Sequence, residues 1–182
     1  MAATFDQLVA FLSSLGTEQV AHTEGSFLTH LIAVYRDLEK WGCDEGLCRA
    51  GMFHSIYGTE KFQKFALPIE RRDEVRQLIG ERAERLAYLN CAMDRASFDR
   101  AVERGTGPYV ITDRLTKQSV ELSDDDFDDL CRMHLCDWLE QVPRSRQWEY
   151  RRQGYQRIAT RLGGIAERAH NAVFSAAAAA GL

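Results

Sequence analysis

The chain has 182 residues, 45% hydrophobic and 27% charged, with 23 basic against 27 acidic side chains and a net charge of −4. That length suits a single domain, 1–182, and buries enough surface to fold without a disulfide or metal staple. The acidic balance excludes the electrostatic footprint of a general nucleic-acid binder, and no run of 18 apolar residues offers a membrane span.

Phe5, Leu8, Val9 and Leu12 mark a first amphipathic helix that Gly16 ends. A link from Thr17 to Glu24 carries His22. A second helix starts near Ser26 and runs to Trp41 with the stripe Phe27, Leu31, Val34, Leu38 and Trp41, and Gly42 stops it. Asp44 reads as the N-cap of a third helix, with Leu47, Ala50, Gly51, His54 and Tyr57 on one face and Gly58 at its end. Phe62, Phe65 and Leu67 form a hydrophobic turn, and Pro68 suits the start of a helix through Ile79. After Gly80 a long helix is expected over 81–103, its core face Leu86, Leu89, Met93 and Ala96.

Gly105, Gly107 and Pro108 mark a loop. Tyr109–Thr112 and Ser119–Leu122 read as a hairpin within about 109–122. Ser123 caps the next helix, with Asp124, Asp125 and Asp126 favourable in its first turn. Pro143 is expected to interrupt that helix, and two more follow near 145–161 and 164–178. The alanine-rich tail, Ala176–Leu182, is expected to fray. The fold class is thus all-α: a helical bundle with one small β-hairpin.

Five cysteines, at 43, 48, 91, 131 and 136, are an odd count. Free thiols in a reducing compartment are the simplest account. The N-terminal segment lacks the positive start and long apolar centre of an export signal, so a cytoplasmic location is expected. Cys131, His134 and Cys136 are ligand types at short spacing, but Leu130, Met133, Cys136 and Leu139 repeat at helical spacing and read as core. Arg144, Arg146, Arg151, Arg152 and Arg157, mixed with Glu149, read as a solvated helix face.

The chemistry concentrates on helices two and three. A short link makes them antiparallel neighbours, and Ala50 and Gly51 permit close approach. His30 and His54 then fall at similar heights. A buried imidazole costs free energy unless its nitrogens are bonded or coordinated, and a metal ion satisfies both rings. Asp94 stands in a row of small or polar residues, Ala83, Ala87, Asn90, Asp94 and Ser97, and is the expected third ligand. His22, Tyr57 and Glu60 are candidate proton-handling groups. Ser55, Asn90 and Arg95 are candidate substrate contacts, Arg95 for a phosphate or carboxylate.

The segment HLIAVYRDLEKWGCDEGLCRAGMFHS resembles the two-helix core of the HD-domain superfamily, whose pattern is a first His, a His-Asp pair on the next helix and a later Asp. The resemblance implies His30, His54 and Asp94 as those positions, with Ser55 standing where the superfamily has the Asp that bridges ions in two-metal members. HTEGSFLTHLIAVYRDLEKWG followed by AGMFHSIYGTEKF also resembles an uncharacterised family of HD-like proteins from bacteria and plants. That likeness covers most of 20–140 and would make Ser55 a family feature. It brings no assigned activity with it, while the superfamily resemblance implies an HD-like fold and a divalent cofactor: iron, manganese or zinc. A metal-dependent hydrolase of a small anionic metabolite, a non-haem iron oxygenase and a non-catalytic binding module all stay open. A small-molecule substrate is expected, nucleic acid and membrane are not, and a homodimer stays open.

Overall fold

Thr4 opens the first helix by accepting the Gln7 backbone N–H on its hydroxyl, while the Gln7 side chain accepts from the Thr4 backbone. This reciprocal cap satisfies two of the donors that a helix start leaves free. The computed structural model describes residues 3–179. In chain order they form α1 (Phe5–Ser14), β1 (Ala21–His22), β2 (Gly25–Ser26), α2 (Phe27–Lys40), α3 (Glu45–Met52), α4 (Arg72–Ile79), α5 (Glu81–Ala92), α6 (Arg95–Arg104), β3 (Tyr109–Thr112), β4 (Ser119–Leu122), α7 (Asp124–Ser145), α8 (Arg152–Leu162) and α9 (Gly164–Ala179). The fold is all-α, with the expected hairpin pairing Tyr109 with Leu122 and Thr112 with Ser119. A second, two-residue pairing, β1 with β2, occupies the link before α2. No helix among the described residues is long and apolar enough to cross a membrane.

The packing centres on α2, α3 and α7. Ser26 and Asp44 cap α2 and α3 through their side-chain oxygens. Phe27, Leu31, Val34 and Leu38 are fully buried against Leu8, Leu12, Leu47 and Ala50. α7 carries Phe127, Leu130, Cys131, Met133, Leu135 and Val142 into the same core. All five cysteines are free thiols. Cys131 and Cys136 are buried in hydrocarbon, which pushes both thiols up and keeps them protonated.

Several boundaries depart from the pattern expected of the sequence. α3 ends at Met52, five residues before Tyr57. The His54 ring Nδ1 takes the Gly51 carbonyl that would have continued the helix, and the chain closes in tighter turns, with Phe53 N–H on Ala50 O and Ile56 N–H on Phe53 O. The expected single helix over 81–103 is two. Met93 and Asp94 are extended, and Asp94 caps α6 by accepting the Ser97 N–H at 2.7 Å. The break is pinned by β3: Asp94 N–H bonds Thr112 O, and Arg114 N–H bonds Ala92 O. Ala83, Ala87, Asn90, Asp94 and Ser97 therefore do not share one face. Pro143 lies inside α7, which runs two residues further and stops at Arg146 in the left-handed conformation. α8 begins at Arg152 instead of near 145, and α9 continues to Ala179. The expected fraying of residues 180–182 lies outside the described residues.

Gly51 sets the distance between α2 and α3. A Cβ there would overlap Leu38 Cδ1 and stand 3.3 Å from Val34 Cγ1. Both neighbours are fully buried, so neither can yield into solvent. Gly51→Ala is expected to cost about 1–3 kcal/mol through overpacking, read as a lower midpoint in urea unfolding with an unchanged slope.

Candidate metal centre

Three elements deliver three side chains to one point. His30 comes from the buried face of α2, His54 from the turn after α3, and Asp137 from the middle of α7. His30 Nε2 lies 3.2 Å from His54 Nε2, and Asp137 Oδ1 is 3.2 Å from each of them. They form the group of metal-ligand type found among the described residues. All three residues are buried, at 2%, 1% and 8% exposure.

The outward nitrogens decide what the inward ones can do. His54 Nδ1 is 2.7 Å from the Gly51 carbonyl, an acceptor only, so Nδ1 carries the proton. His30 Nδ1 is 2.6 Å from Glu140 Oε2, and again the ring donates. Glu140 is held from its other side by Arg144 at 2.5 Å. In neutral rings both Nε2 atoms therefore present lone pairs, and they face each other and a carboxylate oxygen. Gln141 Nε2 donates to Asp137 Oδ1 and Ser55 Oγ lies beside His54 Nε2, and beyond these donors three acceptors in a buried space call for a cation between them. In the metal-free chain that cation is a proton. Burial opposes the His30 charge, but its hydrogen bonds to Asp137 and Glu140 win and raise it to about 9. Burial likewise opposes ionisation of Asp137, yet the two imidazoles hold its carboxyl well below the usual range.

Neighbours fix the three side chains in place. Asn90 Nδ2 donates to the His54 carbonyl at 2.7 Å, holding the turn. Ser55 Oγ lies 3.2 Å from His54 Nε2, at the rim of the triangle. His22, carried by β1, stacks on the His30 ring with centroids 4.3 Å apart. Burial, then the neighbouring His30, lowers His22 to about 4, and its Nδ1 is buried without a partner.

The other expected site residues lie outside the triangle, and of them Arg95 lines the cavity beside it. The Asp94 carboxylate is spent on its helix cap, so Asp137 supplies the carboxylate that the sequence reading assigned to Asp94. The Tyr57 hydroxyl donates to Glu84 at 2.9 Å, inside a closed cluster with Arg72, because the chain has left the helix before Tyr57. Glu60 accepts the Arg95 backbone N–H at 2.9 Å from an exposed position. Arg95 reaches His134 on α7 at 2.8 Å. The sequence reading missed Asp137 and Glu140. A signal was present: His134, Asp137, Gln141 and Arg144 form a polar row at helical spacing beside the apolar row of α7.

A cavity of about 210 Å³ opens beside the triangle. His54, Asp137, Ser55 and His22 line it together with Arg95, Lys61, Trp138 and Tyr155.

Residues 11–95 match the model of a family described as a domain of unknown function (DUF6817). The match runs from the end of α1 through α5 and holds His22, His30 and His54, while Asp137 lies beyond it. No curated protein and no solved structure matches the chain.

Removing the Asp94 cap with Asp94→Ala is expected to cost about 1 kcal/mol, measured by thermal or chemical melts. His134 adds a pH dependence. Burial, then Arg95 and Arg151, holds it well below its ordinary value of 6.5 in the fold. The unfolded chain binds a proton there that the folded chain does not. Its contribution is present above pH 6.5 and lost as pH falls towards the depressed folded value, at up to about 1.4 kcal/mol per pH unit. His134→Asn is expected to flatten that acid limb in melts run from pH 7 to 5.

Proposed function

We propose that the protein is a metal-dependent enzyme, a hydrolase acting on a small anionic metabolite, with His30, His54 and Asp137 as ligands of a single divalent ion. One observation carries the reading: three lone-pair atoms at mutual distances of 3.2 Å, with both ring protons committed outward. Zinc binds imidazole nitrogen and carboxylate oxygen at roughly 2.0–2.2 Å, and His30, His54 and Asp137, with their atoms 3.2 Å apart, would hold one such ion between them. Glu140 and the Gly51 carbonyl are the outer partners that metal-bound imidazoles ordinarily keep. The donor set of two nitrogens and one oxygen suits zinc, iron or manganese.

When bound, such an ion acts as a Lewis acid and lowers the pKa of its water. The chain's own residues divide the remaining work. The cavity beside His54 and Asp137 gives room for substrate next to the ligands. Ser55 supplies a neutral hydroxyl at the rim, where a carboxylate would be needed to bridge two ions, so the site is read as mononuclear. His22, neutral and with an unpartnered Nδ1, is the candidate to receive a proton. The order of a first imidazole, a second at the end of the next helix and a late aspartate is why the HD-like assignment is retained as part of this proposal, with Asp137 in the late position.

The same ligand set favours a second reading. Two imidazoles and one carboxylate on one face of an ion is the arrangement of many non-haem iron oxygenases. Iron in aerobically purified protein, with oxygen consumed when substrate is added, would select it over hydrolysis.

The deciding measurement is elemental analysis of protein purified without chelator. About one ion per chain is expected in the wild type and in Asp94→Ala, and near none in Asp137→Asn. Glu140→Gln is expected to weaken metal affinity about 10- to 100-fold through loss of the outer partner. A wild-type chain that takes up no stoichiometric metal, or an Asp137→Asn chain that keeps it, ends the proposal.

A further inference from the structure

We infer that Arg95 is the anchor for a phosphate group of the substrate, held in the cavity beside the ion; this rests on the metal-dependent reading above. Arg95 begins α6, and its backbone is fixed there by the Glu60 carboxylate at 2.9 Å. Its side chain turns inward and is only 9% exposed. The guanidinium meets His134 Nε2 at 2.8 Å, while its Nε is buried without any partner. Its fork makes no ion pair with a carboxylate among the described residues.

The contrast with Arg151 shows what is missing. Arg151 reaches the same His134 nitrogen at 2.8 Å, but its Nε donates to Asp99 at 2.9 Å and the pair is closed. His134 Nε2 offers the two arginines one lone pair between them and no charge. A buried cation without a counter-charge is costly, and Arg95 lines the cavity that borders Asp137. His134, which Arg95 reaches, and Asp137 are three residues apart on α7, a rise of about 4.5 Å along the axis, and both Arg95 and Asp137 line the one cavity. A second cation waits at the mouth: Lys61 is exposed, lies 3.6 Å over the Tyr150 ring and bonds only Gln147 in its immediate surroundings.

Two cations, Lys61 and an Arg95 fork that lacks a counter-charge, fit a dianion with oxygens in one plane of the fork. A phosphate monoester meets both terms. The cavity, at about 210 Å³, falls below the roughly 300–1,000 Å³ of sites for drug-sized ligands, so the ester is small and not a nucleotide. Trp138 and Tyr155, stacked at 4.1 Å, give it an aromatic wall for the carbon end. In the reaction the water oxygen bonds to phosphorus, the ester P–O bond breaks and the water's proton leaves with the alcohol. Inorganic phosphate is then a product and a usable probe.

The test is calorimetric titration of the full chain with inorganic phosphate, on chelator-treated and manganese-loaded protein, alongside thermal melts. Phosphate is expected to bind and to raise the melting temperature of both forms. Arg95→Gln is expected to weaken binding at least tenfold, and Lys61→Ala a few-fold. If Arg95→Gln does not fold, the wild-type shift and Lys61→Ala carry the test. Absence of phosphate binding to manganese-loaded wild type, or binding undiminished in Arg95→Gln, overturns the anchor. Equal protection by acetate overturns phosphate as the group. A chain that takes up no metal yet binds phosphate through Arg95 leaves the anchor standing and removes the metal reading alone.

Discussion

Two buried imidazoles that give their protons away in opposite directions set the terms for the rest of this fold. His30 donates to Glu140 and His54 to the Gly51 carbonyl, so both inner nitrogens and Asp137 compete for positive charge at one point. In a low-dielectric interior an unmatched cluster of acceptors is expensive. The fold avoids that cost with a proton on His30, which bonds Asp137, and with Gln141, which donates to the same carboxylate oxygen.

The Gly51 carbonyl shows how tightly the local structure is tied to the site. It ends α3 by binding the His54 ring in place of the next helical N–H. The same bond sets the tautomer of His54 and aims its Nε2 at His30. The missing side chain of Gly51 lets α2 approach closely enough for the two rings to meet, since Leu38 and Val34 occupy the space a Cβ would need. Helix termination, ring orientation and helix spacing are thus one event at one residue. Asn90 completes it by binding the His54 carbonyl, which the helix no longer uses.

Helix periodicity, caps and glycine stops made α1, α2 and the β3–β4 hairpin legible in the sequence, and they brought His30 and His54 into view as a pair. Two kinds of information were not local. The extension of α3 to Tyr57 followed from an unbroken apolar pattern, and only the tertiary use of the Gly51 carbonyl ends it sooner. The run 81–103 likewise reads as one helix until β3 bonds the backbone at Asp94 and turns that residue into a cap. Asp94 was the natural carboxylate so long as the helix was continuous; once broken, its oxygens belong to α6. Asp137 went unread because its helix was judged on its apolar row alone. Its polar row, with an acid one turn after a histidine, needed the topology that lays α7 against α2 before it could be placed.

The net charge of −4 misdescribes the cavity. Of the acidic groups near it, Glu140 serves His30 and Arg144, Asp99 closes on Arg151, and Glu60 caps the backbone of α6. Asp137 faces the two imidazoles, where any bound cation would meet it first. The acids are each committed before the space beside the triangle is reached, while Arg95 is not. A divalent ion at the triangle would make the local field more positive still. Arg95 therefore leaves this pocket more favourable to an anion than the acidic chain as a whole, and in the proposed reading the ion would polarise that anion while Arg95 holds it.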